Sequence, residues 1–343
     1  MRAAMHHPRH RSRRAVAATC CMLLALVLAG CDWSEELGLS GDDADEADGT
    51  PPVAETRVPG LRLVASERSF DNSYDALVDA ISIRTTVGII AVDHRANAAG
   101  VTGSLRPTRV LIYDPVNRTA PLIAADPRAA LDLPPAMLVY RDGADETGIA
   151  YNSAAYLAAR HDLDDAEDGA LEGLADEQQA IAEEAAAADV EDPDSAAGIG
   201  ESEGIEQRES EAGFAATVNA LTAAINDDAD LGLIDRVDLQ ARANSTGRAL
   251  DPAFLFFVSA PEDATALLRG AQTAGIDLPL RLLVTQAEDG TVAIHWNDPA
   301  FIAERHGITD RDDSVADLAE RLEALADTAA DATTAGAAGS EPL

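Results

Sequence analysis

The chain has 343 residues, and its 61 acidic side chains outnumber 25 basic ones, which gives a formal net charge of −36 at pH 7. A surface with this much negative charge repels nucleic acid and anionic lipid headgroups, so the composition excludes both as partners. All three cysteines lie within the first 31 residues, which leaves the rest of the chain without thiol catalysis, thiolate metal sites or disulfides. Every basic residue is an arginine, and the acidity suits a salt-rich environment in which dissolved ions screen self-repulsion. The composition therefore favours a halophilic or salt-tolerant source.

Residues 1–30 have the pattern of a lipoprotein signal peptide. Five arginines precede an apolar run at 15–29, and the run ends in Leu28-Ala29-Gly30-Cys31. This ending resembles a bacterial lipobox, which implies that the Cys31 thiol is lipidated and that palmitate-type acyl chains hold the mature protein on a membrane. An ordinary secretory signal and a short membrane anchor are the alternatives, although a span needs about 20 apolar residues. The resemblance implies a cell-envelope protein that faces the periplasm or the cell exterior.

The segment 31–58 is acidic and rich in small residues, which predicts a disordered tether. The next segment, 59–163, predicts a first domain in which strands and helices mix. Its predicted elements are strand 61–66, helix 74–83, buried strand 87–92, a short helix at 95–99, strand 110–113, a helix at 120–131 that Pro127 kinks or divides, strands 137–141 and 147–151, and helix 154–161. This order predicts an α+β layer and not a strict βαβ alternation.

A second acidic stretch, at 164–210, follows the first domain. Its middle, 172–187, has the composition of a polar helix, but it lacks a continuous apolar stripe, so we predict a solvated spacer. After a second domain at 211–310, apolar residues recur at helical spacing within 311–330, which predicts one amphipathic helix that packs on a domain or a partner. The last residues, 331–343, are small and polar and predict a disordered tail.

The chain contains an internal repeat. Residues 92–163 align without a gap to residues 237–308 at a constant offset of 145 positions. Asp132-Leu133-Pro134 returns as Asp277-Leu278-Pro279, and Arg160-His161 returns as Arg305-His306. Solenoid repeats are only about 20 to 50 residues long, so a period of this size indicates a duplicated globular domain.

Several motifs in the first domain resemble those of one known family. They are Val92-Asp93-His94-Arg95-Ala96-Asn97-Ala98, Leu105-Arg106-Pro107-Thr108, Val110-Leu111-Ile112-Tyr113, Asp132-Leu133-Pro134, Tyr151-Asn152 and Arg160-His161. In this order and spacing they resemble the family called domain of unknown function 302, over 61–163, with a more divergent copy at 210–309. The resemblance implies a layered α+β domain of the TATA-binding-protein-like type that associates in pairs. Two copies in one chain can then pack as an intramolecular pseudo-dimer, and no reaction is implied.

Asp93 and His94 form the sharpest candidate for chemistry. A carboxylate beside an imidazole at the end of a strand can orient a general base or supply metal ligands. Neighbouring strand residues point to opposite faces, however, so adjacency does not make the two side chains converge. The second copy keeps the acid as Asp238 but has Leu239 in place of the histidine. The structural alternative, which we favour, is that Asp93 bonds backbone amides at a strand-to-helix turn and His94 is partly buried.

The Arg-His pairs of both copies lie at the ends of predicted helices. There, cations meet exposed carbonyls and the negative end of the helix dipole, and this explains both pairs without chemistry. The alternative is that His161 joins His94 in a shared pocket. The Asp-Leu-Pro motifs predict turns that enter strands. Asn152 and Asn297 follow aromatic residues at strand-helix junctions and favour a packing or capping role over a ligand pocket.

The sequence has no Gly-rich phosphate loop, nucleophile elbow, His-Glu-x-x-His motif or calcium loop, so no cofactor and no defined metal site is predicted. Three hypotheses stay open. The favoured one is a membrane-anchored lipoprotein with a ligand-binding or accessory role, whose site is a cleft in the first domain or between the two. The second is an enzyme that uses Asp93 and His94 as an acid-base or metal pair, with His161 as a further candidate. The third is a scaffold in which the associated repeats and the helix within 311–330 bind a protein partner.

Overall fold

The computed structural model describes residues 52–84, 90–101, 103–163, 166, 169–191 and 195–332. The signal peptide, Cys31, most of the acidic tether and residues 333–343 lie outside the described residues. The predictions made for those segments therefore stay predictions.

The first repeat contains a five-stranded antiparallel sheet. Its elements are β1 (Leu61–Ala65), α1 (Phe70–Ser82), β2 (Ile90–Asp93), α2 (His94–Ala99), β3 (Thr108–Ile112), α3 (Val116–Ala125), β4 (Ala136–Arg141), β5 (Thr147–Asn152), α4 (Ala154–His161) and α5 (Ala170–Ala186), with 3-10 turns at Val53–Glu55 and Pro127–Leu131. The strand order is β1-β5-β4-β3-β2, so β1 and β2 are the sheet edges.

The second repeat has the same element order. It consists of β6 (Ile205–Ser210), α6 (Phe214–Asp227), β7 (Gly232–Asp238), α7 (Leu239–Ser245), β8 (Ala253–Ser259), α8 (Pro261–Gly270), a 3-10 turn (Gln272–Asp277), β9 (Leu280–Gln286), β10 (Val292–Asn297), α9 (Pro299–Arg305) and α10 (Asp312–Ala330). Its strand order, β6-β10-β9-β8-β7, repeats that of the first sheet. The predicted α+β class and the duplicated domain are confirmed.

Each sheet is buried on both faces, which the central strand β4 shows. Successive strand residues point to opposite faces. Met137 and Val139 therefore share one core with apolar residues of α1 and α5. Leu138 and Tyr140 point the other way, into a core that continues through the second repeat. The helices thus cover one face of each sheet, and the other repeat covers the opposite face.

Helix α5 differs from the solvated spacer that we predicted for this segment. It packs against α1, and its buried side includes Leu174, Ile181, Ala182 and Ala185. Small alanines supply most of this buried face, so a search for large apolar residues finds no stripe. In the second repeat, α10 packs on α6 with Leu318 and its helical neighbours buried. Each helix therefore completes the fold of its own repeat, and the second repeat begins at β6, before residue 211.

Two smaller differences concern strands and turns. The helix predicted at 120–131 starts earlier and is divided, because α3 ends at Ala125 and Pro127 opens a 3-10 turn. The side chain of Asp126 caps this turn by accepting a hydrogen bond from the backbone N–H of Arg128. The strand predicted at 87–92 is the edge strand β2, which is only partly buried, and residues 85–89 lie outside the described part of the chain.

The two repeats pack face to face with reciprocal contacts. The 3-10 turn Pro127–Leu131 lies on strands β8, β9 and β10, and its counterpart Gln272–Asp277 lies on β3, β4 and β5. Likewise α2 packs against α8, and α3 packs against α7. When each element is replaced by its counterpart 145 residues away, one contact becomes the other: α2 on α8 becomes α7 on α3. The two repeats are therefore related by a pseudo-two-fold axis. The two repeats therefore pack as an intramolecular pseudo-dimer, an arrangement that the sequence allowed but did not require.

Candidate functional site

A buried ion network lies at the centre of the interface. Nη1 of Arg160 donates to Oδ2 of Asp132 at 2.7 Å, and Nε2 of His161 lies 2.6 Å from the same oxygen. The arginine and histidine side chains are 0% exposed and the carboxylate is 2% exposed. Burial raises the pKa of Asp132, but the Arg160 charge and the His161 hydrogen bond outweigh burial and hold that pKa far below its usual range.

The second repeat contains the same network. Nη1 of Arg305 lies 3.1 Å from Oδ1 of Asp277, and Nε2 of His306 lies 2.8 Å from Oδ2. The other ring nitrogen of His306 contacts the Thr273 hydroxyl at 2.9 Å. Burial lowers the pKa of His306 despite the adjacent carboxylate, so this imidazole is neutral at pH 7. The pKa of Asp277 is lowered too, because Arg305 and His306 outweigh the effect of burial.

Both arginines also reach across to the other repeat. Nη2 of Arg160 donates to Oδ1 of Asn297 at 2.9 Å, and Nη2 of Arg305 donates to Oδ1 of Asn152 at 2.6 Å. We call this network the central clamp. Its members are Asp132, Asn152, Arg160, His161, Asp277, Asn297, Arg305 and His306. Removing one partner of a buried ion pair typically costs about 3–5 kcal/mol, so the clamp is expected to hold the repeats in register.

Aromatic rings complete the clamp. The Arg305 guanidinium lies 4.1 Å from the Tyr156 ring centroid, and that of Arg160 lies 4.6 Å from the Phe301 ring centroid. Each contact joins an arginine of one repeat to an aromatic residue of the other. Gly60 precedes β1 against Tyr156 with a φ of +70°, and a Cβ at this position would overlap the Tyr156 ring. The chain therefore passes close to the Tyr156 ring as it enters β1.

The clamp corrects two interpretations made from the sequence. The guanidinium of Arg160 does not bind the carbonyls of its own helix end; it donates to the backbone oxygens of Glu203 and Gly204 in the second repeat. Asn152 does not cap α4 either, because the capping side chain is that of Ser153. The available signal was that Asp, Asn, Arg and His recur in both copies at the same offset, although sequence alone did not show that they meet across the interface.

Asp93 is the N-cap of α2. Its Oδ1 accepts a hydrogen bond from the backbone N–H of Ala96 at 2.9 Å, and its Oδ2 accepts one from Nε of Arg109 at 2.8 Å. Partial burial raises the pKa of Asp93, but these two donors outweigh it, and the net pKa is lowered. Neither hydrogen bond goes to His94. The Asp93 carboxylate thus bonds a backbone amide at a strand-to-helix turn, as expected for a structural role.

His94 points into the interface between the repeats. It is 3% exposed, and its ring hydrogen-bonds the backbone carbonyl of Gly275 in the second repeat. Nε2 has no hydrogen-bond partner among the described residues, so the donor to Gly275 is Nδ1–H and Nε2 keeps its lone pair. Burial, only partly opposed by Asp93 and Gly275, lowers the pKa of His94 to about 4. The ring is therefore neutral at pH 7.

A small cavity adjoins His94, and we call it the His94 pocket. It is formed by both repeats, and its lining includes Val92, His94, Asn97, Ser259, Thr265 and Leu268. Its free volume is about 20 Å³, room for roughly one water molecule. The Thr265 hydroxyl donates to the Pro261 carbonyl at 2.6 Å, so His94, Asn97 and Ser259 supply the polar groups for a bound molecule.

The pseudo-equivalent end of the interface is closed by an ion pair. The offset of 145 places Leu239 where the first copy has His94, and Arg242 where it has Asn97. Nη1 of Arg242 lies 2.6 Å from Oδ2 of Asp114, and the Thr119 hydroxyl donates to the other carboxylate oxygen at 2.7 Å. Burial raises the pKa of Asp114 despite both contacts. The groups that line the His94 pocket, His94, Asn97 and Ser259, are thus replaced at the other end by Leu239, Arg242 and Asp114.

The remaining candidates are distributed over separate parts of the structure. His161 belongs to the central clamp, and no hydrogen bond joins its ring to that of His94 within the residues that the structure describes. In the same part of the chain, no three histidine, cysteine or acidic side chains are grouped to hold a metal ion. No helix there is both long enough and apolar enough to cross a membrane. Cys31 lies outside the described residues.

Comparisons with known proteins give both partial and domain-length similarities. Two curated relatives, named fluoride-specific ion channel FluC 1 in Brucella suis biovar 1 and Brucella abortus biovar 1, are 36% identical over 78 residues, or 23% of this chain. The match covers 31% and 29% of those proteins, so the chain spans about a third of their length. A solved structure, an uncharacterized conserved DUF302 protein from Bacillus stearothermophilus, is 20% identical over 37% of this chain and 98% of its own, with a TM-score of 0.34.

A sequence model of one family matches the chain twice. The family is described as domain of unknown function DUF302, and the matches cover residues 63–184 and 206–329. Each match extends from the first strand of a repeat into its last helix, α5 or α10. Together they cover well over half of the chain. The protein therefore belongs to the DUF302 family and carries two copies of its domain.

Proposed function

We propose that this protein is an accessory binding protein that holds a compact, neutral ligand in the His94 pocket. The observation that carries the proposal is the unpaired Nε2 of His94, a hydrogen-bond acceptor on a side chain that is 3% exposed. A buried acceptor without a donor typically costs about 1–3 kcal/mol. A ligand that donates one hydrogen bond to Nε2 recovers that free energy.

The lining of the pocket defines the class of ligand. Val92, Leu268 and Leu278 contribute apolar surface, and the imidazole carries no charge at pH 7. An ion would lose its hydration shell there without a countercharge, so a neutral molecule is favoured. The amide of Asn97 and the hydroxyl of Ser259 add further polar contacts. Because the free volume holds roughly one water molecule, we expect a ligand of one or two heavy atoms with an O–H, N–H or S–H donor.

The same geometry gives less support to an acid-base enzyme. A catalytic Asp-His pair needs the carboxylate to orient the imidazole by a hydrogen bond. Here the two oxygens of Asp93 bind Ala96 and Arg109, and the imidazole binds Gly275. Binding therefore remains the favoured hypothesis. The channel activity named for the Brucella relatives is not part of the proposal, because the chain spans only a third of their length.

Native mass spectrometry of the full chain, purified from its own cells, tests the proposal. We expect a bound small molecule in the wild type and in Asp93→Asn, and none in His94→Leu, which places at this position the residue that the second repeat has. Asp93→Asn is the matched control because it alters the neighbouring side chain outside the pocket. A bound mass that persists in His94→Leu would rule out binding in the His94 pocket. Loss of the bound mass in both His94→Leu and Asp93→Asn would favour a site that Asp93 and His94 form together.

A titration with methanol, a neutral hydrogen-bond donor of two heavy atoms, provides a second measurement. The ¹⁵N chemical shift of His94 Nε2 should move and saturate as methanol is added, because this shift responds to hydrogen bonding at the nitrogen. Sodium acetate of equal concentration is the charged control and should leave the resonance in place. A linear drift with both solutes would contradict binding in the pocket.

We also infer that the protein is exported and anchored in the cell envelope through lipid on Cys31, in a saline environment. The support is the basic segment, the apolar run and Leu28-Ala29-Gly30-Cys31, followed by the acidic tether at 31–58. Two or more acyl chains are needed for a stable anchor. Cys31→Ala should abolish labelling with a palmitate analogue and release the protein from the membrane fraction. An unlabelled wild-type protein would contradict this inference.

A further inference from the structure

Arg281 is a buried cation that forms no hydrogen bond with the described residues of the central clamp. It lies on β9, faces the interface and is 5% exposed. Its Nη1 has no hydrogen-bond partner, and its guanidinium forms no ion pair with a carboxylate in the described ranges. The guanidinium lies over the Phe257 ring, whose centroid is 5.3 Å from Cζ, and the charges of Asp132 and Asp277 act on it without a hydrogen bond. A guanidinium can donate five hydrogen bonds, so its bonding capacity is largely unused here.

The charges around Arg281 do not balance. The clamp contains two carboxylates, Asp132 and Asp277, and each is paired with its own arginine, Arg160 or Arg305. Arg281 adds a third guanidinium, so these three arginines and two carboxylates carry a net charge of 3 − 2 = +1. Burial lowers the pKa of Arg281 to about 10, which still leaves it charged at pH 7. The charges of Asp132 and Asp277 act on Arg281 as well, but neither carboxylate forms an ion pair with it, and a buried ion without a direct partner costs several kcal/mol.

The pseudo-symmetry shows that the clamp does not require this cation. The offset of 145 relates Arg281 to Ala136 on β4, which is also buried and has no polar side-chain atom. Each carboxylate of the clamp already has an arginine and a histidine as partners in its own repeat. The third guanidinium therefore has no counterpart in the first repeat. A binding role explains an added, unpaired cation better than a second structural contact does.

We propose that the Arg281 guanidinium binds one monovalent anion of halide size in the interface between the repeats. The anion accepts a hydrogen bond from Nη1 and brings the summed charge of the three arginines and two carboxylates from +1 to zero. The guanidinium is weakly hydrated and retains its charge when buried, which suits it to an anion that has lost its water shell. The site is separate from the His94 pocket, whose lining does not include Arg281.

The first test compares anions at constant ionic strength. The thermal midpoint of the full chain should rise as sodium gluconate is replaced by sodium chloride, by roughly 3–5 °C for each tenfold increase in chloride above its dissociation constant. Arg281→Met should abolish this dependence. Arg236→Met is the matched control, because Arg236 also lies over a phenylalanine ring, at 5.2 Å from the centroid of Phe254, but on the exposed part of β7.

Three outcomes decide the proposal. Chloride-specific stabilisation that Arg281→Met loses and Arg236→Met keeps supports it. Equal midpoints in chloride and gluconate, or an unchanged chloride effect in Arg281→Met, overturn it. Because Arg281→Met can fail to fold, bromide anomalous scattering from crystals of the wild type supplies an independent measurement. A bromide peak within hydrogen-bonding distance of Nη1 supports the site, and a water molecule alone in that position overturns it.

Discussion

The two ends of the pseudo-two-fold interface have the same backbone packing and different chemistry. At both ends a short helix of one repeat packs on a longer helix of the other, as α2 on α8 and α7 on α3. One end contains the neutral His94 pocket, and the other contains the Asp114–Arg242 ion pair. Duplication allows this division, because one end can hold the repeats together through a charged pair while the other encloses a cavity.

The central clamp is the reference for this comparison. There the offset of 145 repeats the carboxylate, amide, arginine and histidine of each copy. Two outer partners differ, because the Tyr156 hydroxyl that donates to Asp132 is replaced by Phe301, and Thr273, which contacts His306, corresponds to Arg128. The clamp therefore carries the structural role in both copies. A substitution in the clamp should therefore lower the free energy of unfolding most, and a substitution at either end should lower it less.

Arg160→Met should have the largest effect. The substitution leaves the carboxylate of Asp132 buried without its guanidinium, which typically costs about 3–5 kcal/mol in the free energy of unfolding. Urea unfolding of the full chain measures this loss. Arg208→Met is the control, because Arg208 forms exposed ion pairs with Glu323 and Asp327, and such pairs contribute about 0–1 kcal/mol. If the two variants lost the same free energy of unfolding, the clamp would not be the main contact that holds the repeats together.

His94→Leu should change the pH dependence of stability at the pocket end. The folded-state pKa of His94 is lowered from 6.5 to about 4, so between these values the unfolded chain binds a proton that the folded chain does not. The wild type therefore loses stability as the pH falls through this window, by about 3 kcal/mol from this one group. His94→Leu should be flatter between pH 6.5 and 4 when the free energy of unfolding is plotted against pH. A slope equal to that of the wild type would contradict the assigned burial.

Arg242→Asn should make the ion-pair end resemble the pocket end. Asp114 then loses its ionic partner and keeps the Thr119 hydrogen bond, at a cost of about 1–3 kcal/mol in the free energy of unfolding. Asp114→Ser in the same chain removes the buried carboxylate, so the double variant should be more stable than Arg242→Asn. A double-mutant cycle in urea measures this coupling. Additive costs would show that the two side chains do not depend on each other.

The sequence predicted the layout of the repeats better than it predicted their contacts. The offset of 145 revealed the duplication, and the mixed order of strands and helices predicted the α+β class. Helix α5 was missed as part of the fold because Ala182 and Ala185 bury small side chains that resemble a polar, alanine-rich spacer. A search for helical periodicity finds stripes of large apolar residues. It does not find a helix face whose buried residues are mostly alanines, as in α5.

The candidate site was predicted less completely for a different reason. His94 was selected because it follows Asp93, yet its neighbours in space are Gly275 and the second repeat, about 180 positions away. The clamp was missed because Arg160 and Asn297 meet only across the pseudo-two-fold axis. The spacing of residues in the sequence predicts contacts within one helix or strand. Contacts between the repeats, such as that of Arg160 with Asn297, depend on how the two sheets pack.

Asp93→Asn should have the smallest effect and completes the comparison of the two ends. Asparagine also caps helices, so the hydrogen bond from the Ala96 N–H can persist, and the lost pair with Arg109 is about a third exposed. The expected cost is below about 1 kcal/mol in the free energy of unfolding. Because the charge of Asp93 raises the pKa of His94, its removal should move the titration of His94, followed by ¹⁵N chemical shifts, to slightly lower pH. A large loss of stability, or a shift of this titration to higher pH, would show that Asp93 does more in the pocket end than cap α2.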